Sequence, residues 1–361
     1  MASKYDDCQT VGAKTLVVCV LYSQNKMLKK LILLLAVVWG GVVSPGMAQH
    51  RSQAQVKARA WQLLKKYDPN GYKIVKSYYD TPASFRVAGR SINLGSDIDF
   101  MVFMNGTTDA DIANDLNTVV HEVCHLYTHR LAYKALQKRP HLYHPKKHYS
   151  LFFINKDDSI LVTQTKTFPS KEIAQVIPEK LRTLRFKNYI YPSQPNQGTQ
   201  IEGVYGLLDE LNAYYQGTKN SMNLYQYYAK ETKQTPADWF NFFSEIDATY
   251  FAYLEFKFYI LKYLIWGQKK HPQLFQDILA NRNFRKAYNA IDRGFGALIE
   301  KYFKLKTQIL NKLKKKGHRV RQTKRYTFID NRGRGNFLQP YELLKTELSK
   351  PDYLRMMKLL R

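Results

Sequence analysis

The stretch Thr118-Val-Val-His-Glu-Val-Cys-His-Leu126 constrains the fold of this chain more than any other part of it. It sits in a segment whose apolar positions, Ile112, Leu116, Val119, Val120, Val123, Leu126, Leu131 and Ala135, keep helical spacing up to Lys138-Arg-Pro140. Thr108, with Asp111 three residues on, predicts a capping box at the start of that helix. His121 and His125 then share one helix face, one turn or roughly 6 Å apart along the axis, and both can reach one metal ion. Glu122 lies beside the first of them, where it can take a proton from water activated at such an ion. The spacing is H-E-x-x-H, and a helix that carries it needs a further ligand from elsewhere in the chain.

A hydrolytic zinc site takes three protein ligands and leaves a fourth position open. His129, at i+8 from His121, lies two turns or roughly 12 Å away and cannot share the ion while the helix is straight. The longer H-E-x-x-H-x-x-G-x-x-H pattern fails too, because Thr128 stands at its Gly and Leu131 at its third His. A downstream carboxylate remains, and the stretch Thr199 to Gly217 offers two. Glu202 follows Thr199 by three residues, a capping-box spacing that accounts for it without metal. Glu210 has Gly203, Gly206, Ala213 and Gly217 at helical spacing, a face small enough for close approach to another helix. Glu210 is therefore the preferred third ligand and Glu202 the alternative.

With these residues the chain resembles the gluzincin branch of zinc metallopeptidases over roughly residues 97–217. The resemblance implies a zincin-like core and one Zn2+ per chain on His121, His125 and a Glu from a later helix. It also implies peptide-bond hydrolysis with Glu122 as general base, and an edge strand ahead of the motif helix that aligns the substrate. In one respect the chain departs from that pattern. Gluzincins often carry an Asp four residues after the ligand Glu to orient the first His; Tyr214 stands there, with Asp209 and Asn212 as nearby replacements. Tyr205, Tyr214, Tyr215 and His129 are the candidate donors to a developing oxyanion.

The rest of the chain predicts a helix-rich α+β fold: a small sheet with the H-E-x-x-H helix, then mostly helices. Gln53 to Tyr67 reads as an amphipathic helix ended by the turn Asp68-Pro-Asn-Gly71. Tyr72 to Tyr79, Phe85 to Leu94 and Asp97 to Met104 read as strands, the last a buried one. Leu151 to Ile154 and Ile160 to Thr163 read as a hairpin, and Ser170 to Leu184 as a short helix interrupted by Pro178. Thr235-Pro236 opens an aromatic-rich helix through Trp266 that contains Glu255, and Asn281 to Lys316 supplies one or two more. The loop holding His141, His144 and His148 reads as a solvated basic loop. The implied organisation is an N-terminal extension at 1–26, a signal peptide at 27–48, the metallopeptidase core at 49–218, a helical subdomain at 219–317 and a basic segment at 318–361.

The signal-peptide reading rests on Lys29 and Lys30, the apolar run Leu31 to Val43, and small residues Gly46 and Ala48 ahead of a cleavage site at Gln49. That run is too short for a comfortable membrane span, so the mature chain is expected to be secreted or periplasmic with no transmembrane segment. Cleavage removes Cys8 and Cys19 and leaves Cys124 as a small buried packing residue with no disulfide partner. The net charge is +27, with 18 Lys/Arg against 4 Asp/Glu from Lys301 onward. Such a surplus suits an anionic envelope component as well as a peptide or protein substrate; an exported chain without a recognised binding motif is not expected to meet nucleic acid. The rival to an enzyme is a catalytically inactive, basic envelope protein on a zincin-like core that binds anionic polymer or a membrane surface.

Overall fold

The computed structural model describes residues 51–361. The expected extension, signal peptide, Cys8 and Cys19 lie outside the described residues. What is described is helix-rich α+β: long helices with three small antiparallel sheets. Helix α1 (Gln53–Tyr67) starts on a Ser52/Gln55 capping box and buries Val56, Ala60, Leu63 and Leu64. Helix α2 (Pro69–Tyr79) follows at once, with Asp68 serving as the end of one helix and the cap of the next.

Two expected strands are absent. Residues 72–79 belong to α2, where Gly71, Ile74, Val75 and Tyr78 form one buried helical stripe. Gly71 marks a close approach to Val120 and not a turn: a Cβ there would lie 2.9 Å from the Val120 side chain. The buried strand expected at 97–104 is a 3-10 turn, Phe100–Phe103, capped by the Asp99 carboxylate accepting from the Met101 N–H. Phe100 and Phe103, three apart, are buried while Val102 is 53% exposed, which is the reverse of strand alternation. Phe85 to Leu94 is a hairpin, β1 (Ser84–Val87) with β2 (Arg90–Asn93), turning at Ala88-Gly89.

Helix α3 (Asp109–Lys138) has the Thr108/Asp111 capping box and carries the H-E-x-x-H motif through the centre of the molecule. The hairpin β3 (Tyr149–Asn155) with β4 (Asp158–Thr163) packs beside it, and the Phe153 carbonyl accepts from the Gln216 amide. Two 3-10 turns on either side of Pro178 (Ser170–Val176 and Glu179–Leu181) and a π turn, Phe186–Ile190, replace the short helix expected at 170–184. Next come the short helix α4 (Gly198–Ile201) and helix α5 (Val204–Asn223), broken apart at Gly203 with φ +55°. Helix α5 crosses residue 218, where a boundary between core and helical subdomain was expected.

Helices α6 (Tyr225–Lys230), α7 (Pro236–Thr249), α8 (Ala252–Lys270), α9 (Pro272–Ala280) and α10 (Arg282–Lys315) complete the main core. The single aromatic-rich helix expected from Thr235 is therefore two, parted at Tyr250-Phe251. The basic C-terminal segment is folded: a meander β5 (Val320–Gln322), β6 (Tyr326–Ile329), β7 (Arg332–Gly335), then α11 (Leu338–Leu348) and α12 (Pro351–Leu360). Leu344, Leu348, Tyr353, Met356 and Leu360 join the same buried cluster as the motif helix, which explains why so basic a tail is ordered. Among the described residues no helix is long and apolar enough to cross a membrane.

Antiparallel contact between α3 and α5 sets up the site. At Gly217 an added Cβ would lie 2.9 Å from the Asn117 carbonyl oxygen and 3.3 Å from the His121 Cβ. The buried Asn117 amide donates to Ser221 at 2.8 Å one turn further along. Gly206 instead faces Gly198 of α4, and Gly203 faces Phe168 and Tyr263, so only the Ala213–Gly217 end of the expected small face meets α3. Gly217→Val should lower stability by roughly 1–3 kcal/mol, the cost of overpacking against backbone that cannot yield, read as the denaturant midpoint.

Candidate metal centre

The centre is built by two helices. From α3, His121 and His125 project on one face with their Nε2 atoms 3.3 Å apart. From α5, Glu210 brings Oε2 to 3.6 Å from His125 Nε2 and 3.9 Å from His121 Nε2. Three donors held at about 2.0–2.1 Å by one tetrahedral ion sit roughly 3.4 Å apart, so this triangle is close to the size a metal ion needs. His121, His125 and Glu210 form a group that could hold a metal ion. A second observation tests the fit: Glu210 Oε2 is buried and has no hydrogen-bond partner in the protein. A buried carboxylate oxygen without a hydrogen-bond partner is costly, and a cation between it and the two imidazoles removes that cost.

Each ligand is held from behind. His125 Nδ1 lies 2.6 Å from Asp209 Oδ2, so the residue before the third ligand orients the second. The Ala213 backbone, one turn along α5 from Asp209, lies beside His121 and acts to raise its pKa. The Tyr214 ring meets the His121 ring edge to face at 4.4 Å. Burial drives the His121 pKa well below the ordinary imidazole range, and the charges of His125 and Arg185 add to that. Burial opposes charge on His125 as well, yet the Asp209 and Glu210 carboxylates hold its pKa well above the usual value. Glu122 is pushed up to about 7, first by burial and then by Glu210, with His125 acting the other way. Cys124, buried where α3 crosses α5, has its thiol pushed up by burial and accepts from the Asn212 amide at 3.5 Å.

The remaining expected site residues fall as follows. Asp209 is at the centre, whereas Asn212 packs the helix crossing against Cys124 and Gln216 and touches no ligand. Tyr214 reaches His121, but Tyr205 points away, its hydroxyl accepting from the Asn281 amide at 3.1 Å. Tyr215 packs on Gly294 and Phe295 of α10. His129 stands 4.0 Å from Asp209 Oδ2, beside the centre and outside the ligand group. Glu202 is not in that group either, and the capping box invoked for it does not form. The helix starts two residues later, after Gly203; the Glu202 carboxylate accepts from the Gln164 amide at 2.9 Å, and the Thr199 hydroxyl donates to the Tyr189 carbonyl at 2.7 Å. His141, His144 and His148 are exposed in their loop, as a solvated loop requires.

Two residues at the site carried no signal in the sequence. Tyr189, from the π turn, places its hydroxyl 3.1 Å from that of Tyr214, and its phenol pKa is raised by burial and by the nearby Glu210 charge. Arg185 lies over the Tyr214 ring at 4.4 Å. Its partner is Glu255 of α8, which is fully buried, with Arg185 Nη1 donating to Glu255 Oε2 at 2.6 Å. A lone acid in so aromatic a helix was the available hint, because a buried carboxylate demands a cation somewhere. Comparison with protein-family models, curated proteins and solved structures finds no match to this chain. With Zn2+ or Co2+ as the probe in a chelator competition, Glu210→Gln should weaken binding by more than about 100-fold, beyond the loss of an outer partner, while Glu202→Ala should bind as the parent does.

Proposed function

We propose that this chain is an exported zinc-dependent metallopeptidase of the gluzincin type, hydrolysing peptide bonds with His121, His125 and Glu210 as zinc ligands and Glu122 as general base. The observation that carries the reading is the convergence of both Nε2 atoms with a buried, unpartnered Glu210 oxygen, next to a carboxylate that is not a ligand. Two imidazoles and one carboxylate suit Zn2+, which tolerates a fourth, open position. When bound, the ion supplies Lewis-acid polarisation of a carbonyl and makes water a stronger acid.

The chain's own residues do the rest. Glu122 takes the proton from the attacking water and passes it to the leaving amine. Asp209 keeps His125 in the tautomer whose Nε2 is free to ligate. The Tyr189 hydroxyl, backed by Tyr214, is the donor to the oxyanion that develops on the scissile carbonyl.

The second reading is a catalytically inactive, basic envelope protein that binds anionic polymer or a membrane surface. It draws support from the missing strand at 97–104 and from the outer edge of β3, where Gln216 already occupies the Phe153 carbonyl. Glu122→Gln should keep its zinc and lose peptidase activity by about 10²–10⁴-fold. Tyr189→Phe should lower kcat by about 10²–10³-fold with zinc retained. Activity that survives Glu122→Gln would remove Glu122 as the base, and a parent that binds acidic polymer and hydrolyses no peptide favours the second reading.

A further inference from the structure

The position four residues beyond the third ligand holds an aromatic ring, and that ring is clamped. Tyr214 meets His121 edge to face at 4.4 Å, with ring planes 70° apart. Behind it, Phe256 stacks at 5.4 Å and the Arg185 guanidinium lies 4.4 Å from the ring centroid. Arg185 cannot shift, because three bonds tie it down. Nη1 donates to Glu255 Oε2 at 2.6 Å, Nη2 to the Ala248 carbonyl at 2.8 Å, and its backbone N–H to Glu255 Oε1 at 3.0 Å. Glu255 is wholly buried, and the Tyr214 hydroxyl is engaged by Tyr189.

We infer that Arg185 and Tyr214 are positioning residues of the metal centre: the buried Arg185–Glu255 pair locks the Tyr214 ring, and that ring fixes the orientation of the His121 imidazole. Ring packing takes the place of a carboxylate hydrogen bond to that ligand. Core stability alone does not require the ion pair, since apolar residues of similar volume usually pack as well or better. What the pair adds is a planar cation held over one face of Tyr214. The inference rests on the metal-centre reading of His121, His125 and Glu210.

The test is metal affinity and Co2+ absorption of the full chain, with Zn2+ and Co2+ as probes. Parent protein should bind one ion, and Tyr214→Phe should bind within about threefold of it because the ring remains. Tyr214→Leu should bind about 10–100-fold more weakly, with an altered Co2+ visible spectrum. The double variant Arg185→Met with Glu255→Met, which keeps the core apolar and leaves no lone charge, should melt no lower than the parent yet show the same weakened, altered site. Parent-like affinity and spectrum in both Tyr214→Leu and the double variant would overturn the inference alone; if Tyr214→Leu does not fold, the double variant decides. A parent chain that binds neither ion overturns the metal-centre reading and this inference together.

Discussion

Helices α3 and α5 approach so closely at Gly217 that a methyl group there would press on the Asn117 carbonyl, and the candidate site depends on that approach. A Glu side chain is short, so its carboxylate reaches two imidazoles on a neighbouring helix only if the backbones are nearly in contact. Along the crossing the two helices are tied by polar contacts, Asn117 with Ser221 and His125 with Asp209. These contacts set the register that carries Glu210 to the histidines. A slide of one residue along α5 would turn Glu210 by about 100°, away from the imidazoles.

Buried charge is the second constraint. Unpaired carboxylates in a protein interior are expensive, and this molecule compensates them with specific cations: Lys306 at 2.6 Å from Asp247, and Arg185 at 2.6 Å from Glu255. Glu210 breaks the pattern, because its buried Oε2 is left without a hydrogen-bond partner. The same economy that pairs Asp247 and Glu255 calls for a cation at Glu210, and two imidazole nitrogens are already aimed at the place where it would sit. An ion bound at this group would add to fold stability, since any ion that prefers the folded state stabilises it.

Much of this was legible from the residues, and the failures have physical causes. The motif helix, its Thr108 capping box and the apolar stripe from Ile112 to Leu131 follow from local spacing, which a long amphipathic helix displays openly. Glu210 was reached by a partly mistaken route: the small face meets α3 only at its Ala213–Gly217 end, and Glu202 is occupied by Gln164 and not by a cap. Tyr72 to Tyr79 and Asp97 to Met104 misled because short apolar runs fit either period, and there tertiary burial decides. Phe100 and Phe103 enter the core three residues apart, a pattern that four residues of sequence cannot distinguish from a strand. Arg185 and Tyr189 were out of reach altogether. They come from a loop some twenty residues ahead of Glu210 and join the site only through long-range contacts with Glu255 and Tyr214.

Zinc K-edge X-ray absorption on the purified full chain would read the ligands contributed by α3 and α5 directly. One zinc is expected, with two imidazole nitrogens and oxygen neighbours at about 2.0–2.2 Å and the oxygen shell thinned in Glu210→Gln. A sulfur shell at about 2.3 Å would mean that Cys124 has turned inward to ligate, and a spectrum unchanged by Glu210→Gln would mean that α5 supplies no ligand. Either result would contradict a metal centre shared between the two helices.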